Sequence, residues 1–400
     1  MINAACRDQP LAHPPQDCSG GRMQRINPLS FALALTTTLA VAGCGGNAMG
    51  VPRAARSAAE PVDRSIASYL DRTMPQGPGG TVVAARGAEL AHCKGFGLAD
   101  RAAGTPATCD TVYDVMSITK QFTAAAIMKL EMMGRLRTTD RIGTILGPVP
   151  ADKRGITLHH LLTHTAGLAE GLGDDYEPVS REKMLDRALK SKLLSHPGAQ
   201  FHYSNTGFSV LAAIIEKVSG TSYERFLAKH LFTPAGMTHT GYVLPKFSRS
   251  QVAVEYDENG ASQSRPFDHP WAADGPYWNL RGNGGMLSTG RDMFAWHRAL
   301  LGDTILSAAA KAKMFEPHAR IPSTEAAYGY GWGILHTKDG RVAWHNGGND
   351  WSFASYSRIL RDGTMVYWVT NQASQAGRWN LEERELEMNQ ALADRARDTD

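Results

Sequence analysis

The stretch Asp114-Val-Met-Ser-Ile-Thr-Lys-Gln-Phe-Thr-Ala-Ala-Ala-Ile-Met-Lys-Leu130 places Ser117 and Lys120 three residues apart at the mouth of an apolar helix. Residues i and i+3 share a helical face, so the Lys120 amine can lie beside the Ser117 hydroxyl and, once desolvated enough to be neutral, accept its proton. A serine at a helix N-terminus also sits beside unpaired N–H groups and the positive dipole end, which favour a developing oxyanion. The run from Ala124 to Leu130 is nearly all apolar and reads as a buried helix, a rigid mount for the pair. The spacing recurs at Ser180-Arg-Glu-Lys183, where Ser180 follows Pro178-Val179 and leads into Glu182 and Met184, the pattern of an N-cap on a charged helix start. Spacing alone does not choose between the two pairs.

Working outward, two β-prone runs flank Arg86-Gly87-Ala88 between Gly79 and Asp100 and predict a hairpin leading to the Ser117 helix. From Gly134 to about Met286 the pattern is mainly helical, clearest at Leu158 to Leu162, Arg181 to Leu194 and Gly207 to Leu231. The last third returns to strands at Gly329 to His336, Arg341 to His345, Phe353 to Leu360 and Thr364 to Thr370, with turns at Lys338-Asp-Gly and Arg361-Asp-Gly. A helix from about Leu381 to Ala393 closes the chain. Strands at both ends with helices between predict an α/β (α+β) fold, one antiparallel sheet flanked by helices with a helical subdomain inserted at about 134–286.

At 400 residues and 42% hydrophobic composition the chain can bury a large core, and a formal charge of +3 gives no reason to propose nucleic acid as a partner. Residues 1–43 read as a signal region. From Met23 a basic start, an apolar stretch from Leu29 to Val41 and Val41-Ala-Gly-Cys44 fit a bacterial lipoprotein signal with Cys44 lipidated. An ordinary cleaved secretory signal is the alternative, and either Met1 or Met23 could be the start. Residues 44–61, rich in Gly, Ala and Arg, read as a flexible tether, and the folded domain spans 62–395. In the exported part the cysteines are Cys93 and Cys109, which an oxidising compartment allows to pair; two separate buried thiols are the other reading.

Two further clusters carry chemistry. In Phe201-His-Tyr-Ser-Asn205 a tyrosine near a cationic lysine would have its phenolate favoured and could exchange protons, while the Asn205 amide could orient the lysine and a substrate carbonyl. Tyr277-Trp-Asn279 repeats that pattern. In Val342-Ala-Trp-His-Asn-Gly-Gly348 an imidazole and bare backbone end a predicted strand, which suits close substrate approach and an N–H donor. His160 and His164 have i, i+4 spacing but lack the following Glu of a zinc helix, so no metal is assigned. Trp271, Tyr277 and Trp278 lie in a Gly/Pro-rich loop, either lining a pocket or packing it.

The ordered set Ser117-Ile-Thr-Lys120, Tyr203-Ser-Asn205 and His345-Asn-Gly347 resembles the three motifs of class C β-lactamases and their relatives among penicillin-recognising serine hydrolases and β-lactamase-like carboxylesterases. Gly95-Phe-Gly-Leu-Ala-Asp100, Leu161-Leu-Thr-His-Thr-Ala-Gly-Leu168, Ile215-Glu-Lys-Val-Ser-Gly220, Pro234-Ala-Gly-Met237 and Gly284-Gly-Met-Leu-Ser-Thr289 are similar to phrases of the same superfamily. The resemblance implies an active site at the junction of sheet and helical subdomain and an acyl-enzyme route on ester, amide or β-lactam carbonyls, without cofactor or metal. It makes Ser117 the nucleophile, Lys120 its proton partner and Tyr203 the general base and acid. Asn205 would hold the substrate, and the N–H groups of Ser117 and Gly348 would form the oxyanion hole, with Gly347 beside them. His345 stands where the β-lactamases usually carry lysine, which favours an esterase or peptidase. A D-alanyl-D-alanine carboxypeptidase, a weak class C-type β-lactamase and an inactive peptidoglycan-binding sensor are the alternatives. A small-molecule or short-peptide substrate and a lipid anchor in the bacterial cell envelope complete the expectation.

Overall fold

The structure is a computed structural model that describes residues 65–398. The signal region, the tether and Cys44 lie outside the described residues.

An eight-stranded antiparallel sheet is assembled from distant parts of the chain. Its strands are β1 (Gly80–Arg86), β2 (Glu89–Phe96), β3 (Ala319–Arg320), β4 (Ala327–Tyr328), β5 (Gly333–Thr337), β6 (Gly340–Gly348), β7 (Phe353–Ile359) and β8 (Met365–Thr370), in the spatial order β2-β1-β8-β7-β6-β5-β4-β3. The N-terminal hairpin joins the C-terminal meander by pairing β1 with β8, Gly80 opposite Thr370 and Ala85 opposite Met365. Period-2 alternation then separates two cores. Val82, Ala84, Val366 and Trp368 face one side, where α1 (Ile66–Thr73) and the C-terminal helix pack. Val83, Ala85, Tyr367 and Val369 face the larger core on the other. Cys93 on β2 and Cys109 are joined as a disulfide with Cα atoms 5.4 Å apart.

The predicted apolar helix is α2 (Thr119–Met132), buried from Thr119 through Met128 and again at Leu130. A helix apolar on every side belongs in the middle of a domain. Phe122 meets Trp296 and Phe232 edge to face at 5.0 and 5.1 Å. The inserted region holds α3 (Ile142–Leu146), α4 (Leu158–Leu162), α5 (Arg181–Lys190), α6 (Asn205–Ser219) and α7 (Tyr223–Leu227), and the chain returns through α8 (Gly290–Leu301), α9 (Ala308–Met314) and, after the meander, α10 (Glu385–Arg397).

Two predicted helices are shorter than the pattern suggested. The Arg181 helix stops at Lys190, where Ser191 turns extended. The stretch from Gly207 to Leu231 breaks at Gly220, whose left-handed φ of 73° caps α6. From Thr238 to Met286 the chain is mostly loop rather than helix, and it satisfies its backbone through scattered bonds. Ser180 is an N-cap, its Oγ accepting from Lys183 N at 3.2 Å, so the second Ser-x-x-Lys is structural.

Candidate active site

Ser117 lies in the 3-10 turn Met116–Ile118 that runs directly into α2. Asp114 shapes the entry: its carboxylate accepts from Met116 N at 2.6 Å while Met116 adopts a left-handed φ of 48°. The next turn delivers Lys120, whose Nζ donates to Ser117 Oγ at 2.9 Å and to the Asn283 carbonyl at 2.8 Å. Burial pulls the Lys120 amine down to about 7, against the opposing pull of Asp175 and Glu170. An amine poised there is a free base for much of the neutral range and is already bonded to the hydroxyl it must deprotonate.

Tyr203 crosses over this pair, with Lys120 Nζ 4.9 Å from its ring centre. Its hydroxyl faces Ser117, but the geometry gives that buried oxygen no hydrogen bond. Burial raises the Tyr203 phenol well above its ordinary value, an effect larger than the help from Ser117. The resting phenolate expected from sequence is therefore reversed: burial favours a neutral amine on Lys120 and a protonated Tyr203. Asn205, the first residue of α6, lines the same cleft and leaves a buried Oδ1 without a donor.

The loop carrying Tyr203 is held by His164, which the sequence marks only by its i, i+4 spacing from His160. His164 Nδ1 accepts from Ser204 N at 3.0 Å, and its ring packs 4.4 Å from that of Tyr203. Burial keeps the imidazole neutral, as that bond requires. His160 accepts instead from Thr157 N on the start of α4, so the two imidazoles serve different contacts.

The third motif enters on β6. Gly347 backs onto Ser117 so closely that an added Cβ would lie 2.7 Å from Ser117 N and 2.8 Å from both Met116 Cβ and Val115 O. Gly348 ends the strand and lines the cleft with Ser117, and Asn346 is tied to α10 by a 2.7 Å bond to Glu385. His345 points away from the cleft. It is 3% exposed, its Nδ1 donates to the Asn346 carbonyl, and its Nε2 therefore accepts from the Tyr328 hydroxyl at 2.9 Å. Burial first, then Lys120, lowers it to about 3. The expectation that it stands close to substrate is corrected accordingly: it is a neutral support behind the site.

The cleft in front of Ser117 has a volume of about 530 Å³. Its aromatic walls are Tyr176 and Trp351, which sandwich His269 at 4.6 and 4.7 Å. The loop aromatics singled out from sequence are elsewhere: Trp271 meets Tyr242 edge-on, and Trp278 lies under Arg281. In the second Tyr-x-Asn, Asn279 ties down the loop of Asp174 and Glu177.

With this geometry in view, a model of the Beta-lactamase family matches residues 62–386. The chain belongs to the beta-lactamase family. It is 31% identical over 285 residues to Penicillin-binding protein 4* of Bacillus subtilis (strain 168), covering 67% of this chain and 62% of that relative, so it spans less than two thirds of the relative's length. Among solved structures it is similar to the octameric penicillin-binding protein homologue from Pyrococcus abyssi, at 26% identity with a TM-score of 0.69 over 80% of this chain and 76% of that one. EstCE1, a hydrolase with promiscuous acyltransferase activity, shares the fold at 21% identity with a TM-score of 0.67, over 80% and 94% of the two chains.

Two outcomes follow for this family member. With a neutral Lys120 as the working form, kcat/KM for a neutral ester rises about tenfold per pH unit up to about 7 and then levels, as measured in a stopped-time assay across pH. A profile flat from pH about 5 to 8 contradicts that role. Gly347→Ala displaces the backbone at Ser117 and lowers kcat/KM by about 10²-fold, while circular dichroism stays that of the parent.

Proposed function

We propose that this protein is a serine hydrolase that works through an acyl-enzyme on ester or amide carbonyls. The observation that carries the reading is the 2.9 Å bond from a buried Lys120, drawn down to about 7, to Ser117 at the head of an open cleft.

The steps use groups already in place. Lys120 accepts the Ser117 proton as Oγ adds to the carbonyl, and the Ser117 and Gly348 N–H groups serve the oxyanion. Tyr203, held protonated by burial, donates to the departing alkoxide or amine. Water then releases the acyl group by the reverse relay. Asn205 offers its free Oδ1 to an N–H of the bound substrate.

An esterase or peptidase is favoured over an efficient β-lactamase because of His345. A lysine would supply a permanent cation for a substrate carboxylate, whereas this imidazole is buried, neutral and committed to Tyr328. The family resemblance together with the Val41-Ala-Gly-Cys44 sequence supports attachment to the bacterial envelope through a lipid on Cys44. No helix among the described residues is long and apolar enough to cross a membrane.

The nucleophile is tested by fluorophosphonate labelling and mass spectrometry. Wild type carries the adduct on the Ser117 peptide and turns over p-nitrophenyl butyrate; Ser117→Ala loses both while remaining folded. Ser180→Ala keeps both and loses only cap stability, about 1 kcal/mol. An adduct on another residue overturns the assignment. For the anchor, Cys44→Ser moves the protein expressed in a bacterial host from the detergent to the aqueous phase in Triton X-114; unchanged partitioning removes the lipid.

A further inference from the structure

The cleft is lined by Glu170, Asp174, Asp175, Asp350 and Glu382, and its lining includes no Lys, Arg or His. Some acids outside the cleft are paired with arginine. In the same loop Glu177 takes a paired bond from Arg187 at 2.7 Å, and Asp274 holds the buried Arg281 at 2.8 Å. None of the five cleft carboxylates joins an ion pair among the described residues. Asp174 spends one oxygen capping its own turn at Tyr176 N. Asp175 has no hydrogen-bond partner among them, although it is enclosed enough that burial, then Asp174, pushes its carboxyl up to about 6.

The cations that might offset this charge do not face the substrate as cations. Lys120 sits behind Ser117 and has to shed its proton to act as base, and His345 is neutral behind β6. In the reactive state a substrate carboxylate would therefore meet several carboxylates and no counter-ion. An ammonium would meet the opposite: anions, the Oδ1 of Asn205 that has no donor among the described residues, and the rings of Tyr176 and Trp351, each of which has one face covered by His269. An ammonium has three donors and no acceptor, and aromatic faces attract it.

We propose that this cleft selects substrates that carry a protonated amine close to the scissile ester or amide carbonyl, with Asp175 and Asp350 as the specificity-determining anions and Tyr176 and Trp351 as the wall. The proposal rests on the acyl-enzyme reading and adds the substrate class to it. These two carboxylates come from different elements, the loop after α4 and the β6–β7 connection, and line the same cleft as Ser117. The selected amine can belong to the acyl part or to the leaving alcohol, since the acids line the same cleft as Ser117.

The test uses the full-length protein and ester sets matched in shape but not in charge, followed by pH-stat at about pH 7.5, where Asp175 is ionised and a primary amine is protonated. On the acyl side these are the ethyl esters of β-alanine and butyric acid and the monoethyl ester of succinic acid, which place ammonium, methyl or carboxylate at one position. On the leaving side they are butyrylcholine and 3,3-dimethylbutyl butyrate.

The expected result is a kcat/KM at least about tenfold higher for the cationic member of one or both sets than for its neutral partner, with the succinate slowest. Added salt narrows the ratio. Asp175→Asn together with Asp350→Asn brings it close to one, whatever happens to the absolute rates. If that variant fails to fold, the wild-type order and its salt dependence decide. Ser117-dependent turnover with no charge preference, or with the succinate preferred, overturns the substrate class and leaves the acyl-enzyme reading standing. Absence of any Ser117-dependent turnover or labelling overturns the acyl-enzyme reading, and the substrate class falls with it.

Discussion

A buried ammonium is the constraint on which this architecture turns. Removing a cation from water costs several kcal/mol even after relaxation, and Lys120 has no exposed surface. The fold meets that cost without a direct ion pair among the described residues. Two oxygens, from Ser117 and Asn283, accept from Nζ, the Tyr203 ring lies within cation–π reach, and Glu170 and Asp175 act from a greater distance. A tight salt bridge in their place would have held the proton on Lys120. The weaker set leaves the amine near neutrality, so the same burial that costs stability creates the base.

The other catalytic parts are fitted around that amine by elements that meet only in the folded chain. The Met116–Ile118 turn is pressed against β6 at Gly347, where no side chain fits. The Tyr203 loop is suspended from His164, whose own backbone is left-handed at a φ of 59°. Strand β6 is in turn anchored through Asn346 to Glu385 at the start of α10, a carboxyl that burial raises to about 7. The sheet, the helical insertion and the terminal helix thus each fix one edge of a site that none of them contains.

This division explains what could be read from the sequence. The Ser117–Lys120 pair was legible because helical spacing is local, and the sheet because alternation and turn residues are local too. Gly347 was legible as bare backbone, although what it makes room for was not. Asn283 was invisible, since it acts through a carbonyl that any residue owns. His164 and Tyr328 gave no sign of standing behind Tyr203 and His345. Protonation was the least legible property of all. Sequence pairs a tyrosine with a lysine and suggests a phenolate; enclosure reverses the order by lowering the amine and raising the phenol.

The same enclosure separates two kinds of acid in the loop after α4. Glu177 is matched by the Arg187 fork and by Asn279, and these bonds hold the loop against the insertion. Asp175, two residues earlier, has no hydrogen-bond or ion-pair partner among the described residues, and its charge acts on Lys120 through space. A carboxylate that only braced a loop would gain from a fixed cation, as Glu177 does. One that faces an open cleft in front of a nucleophile keeps its electrostatic attraction for what enters, and it also moderates how far burial can lower the base. The loop therefore couples the two properties: the charge that moderates the lowering of Lys120 also contributes to the field in which a substrate approaches Ser117.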